Sequence, residues 1–238
     1  MKTKTAYFIG IGGAGMSALA RYYKHLGVEV KGYDKTATSL TERLISEGIA
    51  INFEDSIESI PSNIREAKNL LLVITPAIPE SNKQLQELIT KGHRPRKRAE
   101  VLGEIIAGVK SIAIAGTHGK TSTTALLAHI MDGTNEGCNA FLGGISACNN
   151  SNLYYKQSAE WTIVEADEFD KSFHHLYPTY GLITSLDPDH LDIYGDEESF
   201  IKAFEKFSGQ IKNPPLIAKN VEWNYGEYER YGIKSCGD

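Results

Sequence analysis

A lysine and a threonine close a short glycine turn, Gly116-Thr117-His118-Gly119-Lys120-Thr121, and residues of these types can bind phosphate. The backbone N–H groups of such a turn cradle phosphate oxygens, the lysine ammonium reaches the β- and γ-phosphates, and the threonine hydroxyl can bind Mg²⁺. The turn resembles a P-loop, although two residues separate its glycines where the general motif has four. The sequence therefore predicts a nucleoside triphosphate site here, against the alternative of a surface lysine in an ordinary turn.

Two acidic clusters follow apolar runs further along the chain. The first is Glu165-Ala166-Asp167-Glu168 with Asp170, and the second is Asp187-Pro188-Asp189-His190-Leu191-Asp192. Ligands bind at the carboxyl ends of strands in open α/β sheets, and carboxylates are hard oxygen ligands suited to Mg²⁺. We expect both clusters to face the phosphate turn, with His190 either a metal ligand or a helix-capping histidine.

A second glycine turn, Gly10-Ile11-Gly12-Gly13-Ala14-Gly15, satisfies the pattern G-x-G-x-x-G. It follows a predicted strand and opens a predicted helix, an arrangement that brings backbone N–H groups to a diphosphate. Asp34 ends the next predicted strand, 19 residues after Gly15, where an acid commonly holds a ribose hydroxyl. The pattern predicts a nucleotide or dinucleotide site, for which NAD is the default ligand, although nothing nearby supports hydride transfer.

Short apolar runs alternate with longer amphipathic ones, which predicts an α/β fold with mainly parallel sheets. Two series, each opening with strand, glycine turn and helix, predict a domain over residues 1–107 and a second over residues 108–238. The predicted strands are Ala6–Ile11, Val28–Tyr33, Asn69–Ile74, Arg94–Lys97, Ser111–Ala115, Trp161–Glu165, Tyr180–Leu186 and Pro215–Ala218. The predicted helices are Ala14–Leu26, Ser39–Glu47, Ser81–Lys91, Arg98–Ala107, Thr121–Met131 and Glu197–Phe207. Residues 132–152 are predicted as a long loop around a short strand at Ala140–Leu142.

Composition excludes several classes of function. The 238 residues carry 25 Lys and Arg against 30 Asp and Glu, a net charge of −5, so a general binder of nucleic acid or membrane surfaces is disfavoured. No apolar run approaches the roughly 18 residues of a membrane span, and the N-terminus does not read as a signal peptide. Three cysteines without a C-x-x-C pair predict neither a disulfide framework nor a cysteine zinc site. We therefore expect a cytoplasmic protein.

Six motifs, in order along the chain, resemble those of the Mur ligases of peptidoglycan synthesis. They are Gly10–Ser17, Thr75-Pro76-Ala77-Ile78-Pro79, Lys97-Arg98-Ala99-Glu100, Gly116–Thr121, Glu165–Glu168 and Asp189-His190-Leu191-Asp192. The resemblance implies a Rossmann-like N-terminal domain that binds a UDP-sugar rather than NAD, followed by a P-loop-type ATPase domain. It implies an ATP- and Mg²⁺-dependent ligase that joins UDP-N-acetylmuramate to L-alanine through an acyl phosphate, a step of cell wall synthesis.

The resemblance also implies a role for individual residues. The expected UDP-sugar contacts are Gly12, Gly13, Ala14, Gly15, Met16, Ser17, Asp34, Thr75, Ala77 and Ile78. The expected ATP contacts are Gly116, Thr117, His118, Gly119, Lys120, Thr121 and Ser122. Lys120, Glu165 and His190 would be catalytic, and Thr121, Glu165 and His190 would hold Mg²⁺. His118, Asp167 and Ser172 would lie near the lactyl group of the substrate.

Two motifs depart from the family pattern. Thr75-Pro76 stands where serines are common, and proline has no N–H to offer a diphosphate. Lys97 stands where arginine is usual, which keeps the charge and loses bidentate geometry.

The length of the chain bears on its completeness, and three alternative functions stay open. Mur ligases have a third domain that binds the amino acid, so we expect this chain to be an N-terminal fragment with an incomplete ATPase domain, inactive alone. One alternative is the tripeptide-recycling muramate ligase of the same family, whose first loop usually departs from G-I-G-G-x-G-M-S. The others are an NAD-dependent oxidoreductase and a nucleotide sensor without catalysis.

Overall fold

The computed structural model describes residues 3–187 and 191–232. The chain divides into two compact units, Met1–Val101 and Leu102–Asp238. This division falls inside the helix Arg98–Ile106, whereas the predicted boundary follows that helix, after Ala107.

Within the described residues, neighbouring strands run parallel in every pair but one, so the predicted α/β class is confirmed. No helix in these ranges is long and apolar enough to cross a membrane.

The first unit is a parallel sheet of five strands with connecting helices. Its strands are β1 (Thr5–Ile9), β2 (Glu29–Tyr33), β3 (Ala50–Asn52), β4 (Leu70–Ile74) and β5 (Pro95–Lys97). Its helices are α1 (Ala14–His25), α2 (Ser39–Ser46), α3 (Ser62–Arg65), α4 (Lys83–Thr90) and the start of α5 (Arg98–Ile106). The strand order β3-β2-β1-β4-β5 is that of a Rossmann-like sheet.

Strand β1 is the central strand of this sheet. Residues 6–9 are fully buried, as expected for a parallel strand covered on both faces. The strand pairs in register with β2 on one side and β4 on the other. The strand order reverses between β1 and β4, and at such a switch point the turns that follow the two strands flank a crevice. The fold therefore brings the turns after Ile9 and Ile74 to one edge of the sheet.

The second unit is a sheet of seven strands. They are β6 (Lys110–Ala115), β7 (Asn139–Ser146), β8 (Ser151–Tyr154), β9 (Trp161–Glu165), β10 (Tyr180–Ile183), β11 (Leu216–Ala218) and β12 (Glu229–Tyr231). Its remaining elements are α6 (Lys120–Asp132), a 3-10 helix (Phe169–His175), α7 (Leu191–Tyr194) and α8 (Glu197–Ser208). The strand order is β12-β11-β10-β6-β9-β7-β8, and only β7 and β8 pair antiparallel in the described residues.

The largest difference from the predicted elements lies in residues 132–152, where the predicted loop is replaced by most of a hairpin. Strand β7 extends well beyond the predicted Ala140–Leu142, and β8 returns beside it. Glycine and asparagine there favour a loop, but Phe141, Leu142, Leu153 and Tyr154 are all buried, and this burial decides the outcome. The other elements absent from the prediction are short: β3, β12, α3, α7 and the 3-10 helix. Periodicity is hard to read in so few residues.

An aromatic cluster fixes the 3-10 helix that follows the first acidic cluster. Phe200, Phe204 and Phe207 lie on one face of α8 and are fully buried. The ring of Phe173, from the 3-10 helix, lies 5.1 Å from that of Phe204 and 5.0 Å from that of Phe207. Asp196 caps α8 by accepting a hydrogen bond of 2.7 Å from the Ser199 N–H. The backbone after Glu168 is therefore held by packing rather than left as a free loop.

A closed polar network joins β1, β3 and α4 in the first unit. The Tyr7 hydroxyl donates to Gln84 Oε1 at 2.6 Å and accepts from Asn52 Nδ2 at 2.8 Å. Gln84 Nε2 donates to Asn52 Oδ1 and to the Glu54 carbonyl, both at 2.7 Å. Burial raises the pKa of Tyr7 well above its ordinary value, so the phenol stays neutral and remains a donor.

Replacing Gln84 by alanine should destabilise the first unit by about 2 kcal/mol, because the buried Tyr7 hydroxyl would lose its acceptor and Asn52 Oδ1 would lose its donor. Urea denaturation of both proteins measures this difference. Gln86→Ala is the matched control, since Gln86 lies on the same helix with an exposed side chain, and its effect should stay within about 0.5 kcal/mol. Equal losses in the two variants would show that the network does not contribute to stability.

Candidate nucleotide and phosphate sites

The phosphate turn of the second unit requires glycine at both of its glycine positions. Gly116 has φ of 129° and Gly119 has φ of 81°, values that other residues adopt only with strain. A side chain at Gly116 would also collide with the Thr184 hydroxyl and the backbone of Ser185. The turn therefore owes its shape to backbone conformations that glycine alone adopts without strain.

Two hydroxyl residues after β10 hold the turn in place. The Thr117 N–H donates to the Ser185 carbonyl at 3.3 Å, and the His118 N–H donates to Ser185 Oγ at 2.7 Å. The Thr184 hydroxyl donates to the carbonyls of Ala115 and His118. Strand β10 ends at Ile183, three residues before the predicted end, and this frees Thr184 and Ser185 to make these bonds. The motifs do not point to either residue; the only signal is their place after the strand beside β6.

The N-terminus of α6 presents free donors beyond the turn. The Thr123 N–H is an intrahelical donor, to the Gly119 carbonyl at 2.9 Å. The N–H groups of Lys120, Thr121 and Ser122 precede it and have no partner within an α-helix. Thr121 and Ser122 are exposed. Together with the helix dipole, these groups suit an anion such as phosphate.

Lys120 lies across the turn. Its ammonium donates to the Gly116 carbonyl at 2.6 Å and to Glu168 Oε1 at 2.8 Å. The second carboxylate oxygen, Oε2, is also 2.8 Å from the ammonium but outside hydrogen-bond geometry. The Glu168 side chain is 2% exposed and that of Lys120 is 16% exposed, so this is a largely desolvated ion pair. The sequence predicts Glu168 only as a member of the first acidic cluster and does not predict its pairing with Lys120.

Thr121 and Glu165 form the part of the expected Mg²⁺ site that the structure describes. Thr121 Oγ1 lies 3.2 Å from Glu165 Oε2, and Glu165 Oε1 accepts from the Gly143 N–H at 2.8 Å. Burial raises the pKa of Glu165, against the opposing effects of these hydrogen bonds and of the Lys120 charge. A hydroxyl and a carboxylate oxygen this close fit Mg²⁺, which keeps several of its waters when bound by few protein ligands.

The third expected Mg²⁺ ligand, His190, lies outside the described residues, as does Asp189. The described ranges contain no group of three His, Cys, Asp or Glu side chains that could hold a metal ion. The metal assignment therefore rests on Thr121 and Glu165 alone.

Of the three residues expected near the lactyl group, His118 and Asp167 follow strands that end at the same edge of the sheet. His118 is exposed on the turn, with Nε2 3.8 Å from Asp187 Oδ2. Asp167 follows β9, and its charge is among the influences on the pKa of Glu165. Ser172 lies in the 3-10 helix.

The first unit brings its two predicted turns together. Thr75 and Ile78 contact Gly10, so the turn after β4 lies against the glycine turn after β1. Ala77 is exposed at the tip of its turn. Asp34 accepts from the Gly12 N–H at 2.7 Å and from the Thr36 N–H at 3.1 Å. This carboxylate thus closes the glycine turn from within the chain, where the spacing predicts a ribose contact.

Arg98, absent from the predicted contacts, lies directly against Gly15, where a side chain would collide with its guanidinium. The sequence contained one indication of a role for Arg98, which is its place in the motif Lys97–Glu100.

Met16 and Ser17, expected to face a diphosphate, are instead buried, and the Ser17 hydroxyl donates to the Ala14 carbonyl at 2.8 Å. The exposed part of the loop is formed by the residues before Met16.

The fold and these sites define a class of protein with a Rossmann-like nucleotide unit followed by a phosphate-loop α/β unit. Residues 5–110 match the Mur ligase family, catalytic domain, and residues 114–232 match the Mur ligase middle domain. The chain belongs to the Mur ligase family.

Individual relatives agree with this assignment. The chain is 47% identical over 221 residues to the UDP-N-acetylmuramate–L-alanine ligase of Phocaeicola vulgatus, covering 92% of this chain and 48% of that protein. It is 49% identical over 210 residues to the Porphyromonas gingivalis ligase of the same name, covering 88% and 46%. The crystal structure of the UDP-N-acetylmuramate-alanine ligase from Thermotoga maritima superposes with a TM-score of 0.80 at 27% identity, covering 91% and 49%. The chain thus spans about half the length of the curated relatives it matches.

Gly116→Ala should weaken Mg-ATP binding by roughly tenfold, because the strain at such a backbone position is worth about 1–3 kcal/mol and the turn must move away from Thr184. Isothermal titration calorimetry measures this change. Gly133→Ala is the control, since Gly133 follows the other end of α6 with φ of −72° and room for a side chain. Unchanged affinity in Gly116→Ala would show that ATP does not use this turn.

Proposed function

We propose that this chain forms the UDP-sugar-binding and ATP-binding parts of a cytoplasmic UDP-N-acetylmuramate–L-alanine ligase of peptidoglycan precursor synthesis. The observation that carries the proposal is the convergence of Lys120, Thr121 and Glu165 at the phosphate turn. The names of the relatives at 47% and 49% identity supply the substrates. Free thiols at Cys138 and Cys148 agree with a reducing compartment.

The proposed reaction activates a carboxylate that is otherwise a poor electrophile. The lactyl carboxylate of UDP-N-acetylmuramate attacks the γ-phosphorus of ATP, the bond from that phosphorus to ADP breaks, and the products are an acyl phosphate and ADP. The amine of L-alanine then attacks the acyl carbon, and the tetrahedral intermediate collapses to the amide as phosphate leaves. The first step brings two anionic groups together and the second develops negative charge on the tetrahedral intermediate, so catalysis depends on positioning and on compensating charge.

The residues of this chain supply that compensation at the phosphates. The N–H groups at the start of α6 bind phosphate oxygens, and the Lys120 ammonium neutralises charge on the transferred group. Thr121 and Glu165 would hold Mg²⁺, which when bound reduces the repulsion between carboxylate and phosphate. His118, Asp167 and Ser172 would orient the lactyl group.

The first unit supports a UDP-sugar over NAD as its ligand. Asp34 accepts the Gly12 N–H and so helps to shape the turn, which means that its presence does not by itself indicate a dinucleotide. Arg98 brings a positive charge beside Gly15, which suits a diphosphate. Of the ten expected contacts, the proposal retains Gly12 to Gly15, Thr75, Ala77 and Ile78, and it leaves out Met16, Ser17 and Asp34.

The tripeptide-recycling ligase remains the second candidate. A Neisseria ligase for UDP-N-acetylmuramate and the tripeptide has a TM-score of 0.78, but at 23% identity this likeness concerns the fold alone. The first loop, G-I-G-G-A-G-M-S, and the more similar curated relatives favour L-alanine as the acceptor.

Thermal shift measurements with three separate ligands test the proposal. UDP-N-acetylmuramate and Mg-ATP should each raise the melting temperature, because a ligand that binds only the folded state stabilises it. NAD should leave it unchanged. Stabilisation by NAD without stabilisation by the UDP-sugar would overturn the proposal in favour of an oxidoreductase.

Lys120→Ala should weaken Mg-ATP binding at least roughly tenfold while leaving UDP-N-acetylmuramate affinity within about twofold, since one charge-assisted contact is worth about 1.5–3 kcal/mol. Titration calorimetry with each ligand measures both constants. Lys110→Ala is the matched control, because Lys110 lies on the strand before the turn and its exposed side chain pairs with Glu160. If Lys110→Ala and Lys120→Ala bind Mg-ATP equally well, Lys120 has no part in the site.

A further inference from the structure

In the ligand-free phosphate turn, Lys120 is already paired with a carboxylate of the same chain, that of Glu168. Both carboxylate oxygens of Glu168 lie 2.8 Å from the Lys120 ammonium. The ammonium is also drawn back to the Gly116 carbonyl at 2.6 Å, within its own turn. The side chain that would meet a phosphate is therefore engaged by an internal carboxylate.

The backbone at Glu168 is fixed by hydrogen bonds. Its backbone carbonyl accepts hydrogen bonds from the Tyr194 hydroxyl at 2.6 Å and from the Lys171 N–H at 3.0 Å. Tyr194 is buried, and its ring packs edge-on against Phe200 at 5.1 Å. The carboxylate can therefore follow the lysine only by rotation about its own side-chain bonds, because the backbone that carries it is fixed.

This geometry sets a competition between two anions for one ammonium. A carboxylate buried to this extent is costly to leave unpaired, so a phosphate that draws Lys120 away must offset the weakened ion pair. A polyphosphate with several charges can do so better than a singly charged anion. The Lys120–Glu168 pair would therefore favour highly charged ligands over singly charged ones.

We propose that Glu168 is a positioning residue that holds Lys120 in the empty turn and is exchanged for nucleotide phosphate on binding. This inference rests on the proposed function, because it takes the ligand of the turn to be ATP. A purely structural ion pair predicts a different outcome. Loss of such a pair would lower stability and leave ATP affinity unchanged or weaker, whereas exchange predicts that stability falls while ATP affinity rises.

Glu168→Gln in the full chain separates these outcomes. The amide keeps the shape and removes the charge, so Mg-ATP should bind roughly fivefold tighter by calorimetry, while the ligand-free melting temperature falls. Glu168→Asp keeps the charge on a shorter side chain and should give an intermediate affinity. Glu160→Gln is the control, since Glu160 forms an exposed pair with Lys110 in the same sheet and should change neither quantity.

A second measurement needs no nucleotide. In the ligand-free chain, Lys120 should be acylated several-fold faster in Glu168→Gln than in the parent, because the amine is no longer held by a carboxylate; peptide mass spectrometry reads this rate. Equal or weaker Mg-ATP affinity in a folded Glu168→Gln protein would overturn the inference, as would unchanged acylation. If the parent chain does not bind Mg-ATP at all, the proposed function fails, and the acylation rate alone decides whether Glu168 holds Lys120.

Discussion

Parallel pairing of β6 with β9 on one side and β10 on the other is the constraint on which the second unit depends. The register sets Ile114 against Glu165 and Ala115 against Ile183, so three strands end at the same level. Parallel strands deliver their following turns to one edge, and here those turns carry the phosphate loop, the first acidic cluster and the pair Thr184 and Ser185. The contacts of the phosphate turn with Glu168, Thr184 and Ser185 follow from this alignment.

Charge at that edge is balanced within the chain. The turn and the start of α6 attract anions, and two buried or half-buried carboxylates lie within a few ångströms of them. Glu165 is stabilised by the Gly143 N–H and the Thr121 hydroxyl, and Glu168 by the Lys120 ammonium. The two acids thus have different partners. Glu165 lies beside the Thr121 hydroxyl and could bind a metal cation, whereas Glu168 is already paired with the Lys120 ammonium. Spacing in the sequence places both in one cluster and cannot separate these two roles.

Sequence patterns indicate the residues of the phosphate turn that belong to a local motif or follow a predicted strand. They do not indicate the residues that reach the turn only through the order of strands in the sheet. Lys120, Thr121 and Glu165 follow from glycine spacing and strand ends, and the structure brings them together. The contacts of Thr184 and Ser185 with the phosphate turn require knowledge of the strand order, because β10 is distant in sequence from β6 but adjacent to it in the sheet. The glycine and asparagine content of residues 132–152 conceals the hairpin, although Gly143 in that hairpin donates a hydrogen bond to Glu165.

The first unit shows why a glycine signature with a downstream acid does not by itself choose a ligand. Asp34 has the spacing of a ribose-binding acid, but its carboxylate accepts the Gly12 N–H, so the acid stabilises the turn itself. A negative charge at that point disfavours a diphosphate unless a positive charge compensates it, and Arg98 against Gly15 provides one. Arg98 comes from the helix after β5, and Thr75 and Ile78 come from the turn after β4; neither belongs to the signature. The glycine turn alone therefore does not identify the ligand of this unit, because the elements that surround the turn contribute side chains to the same edge of the sheet.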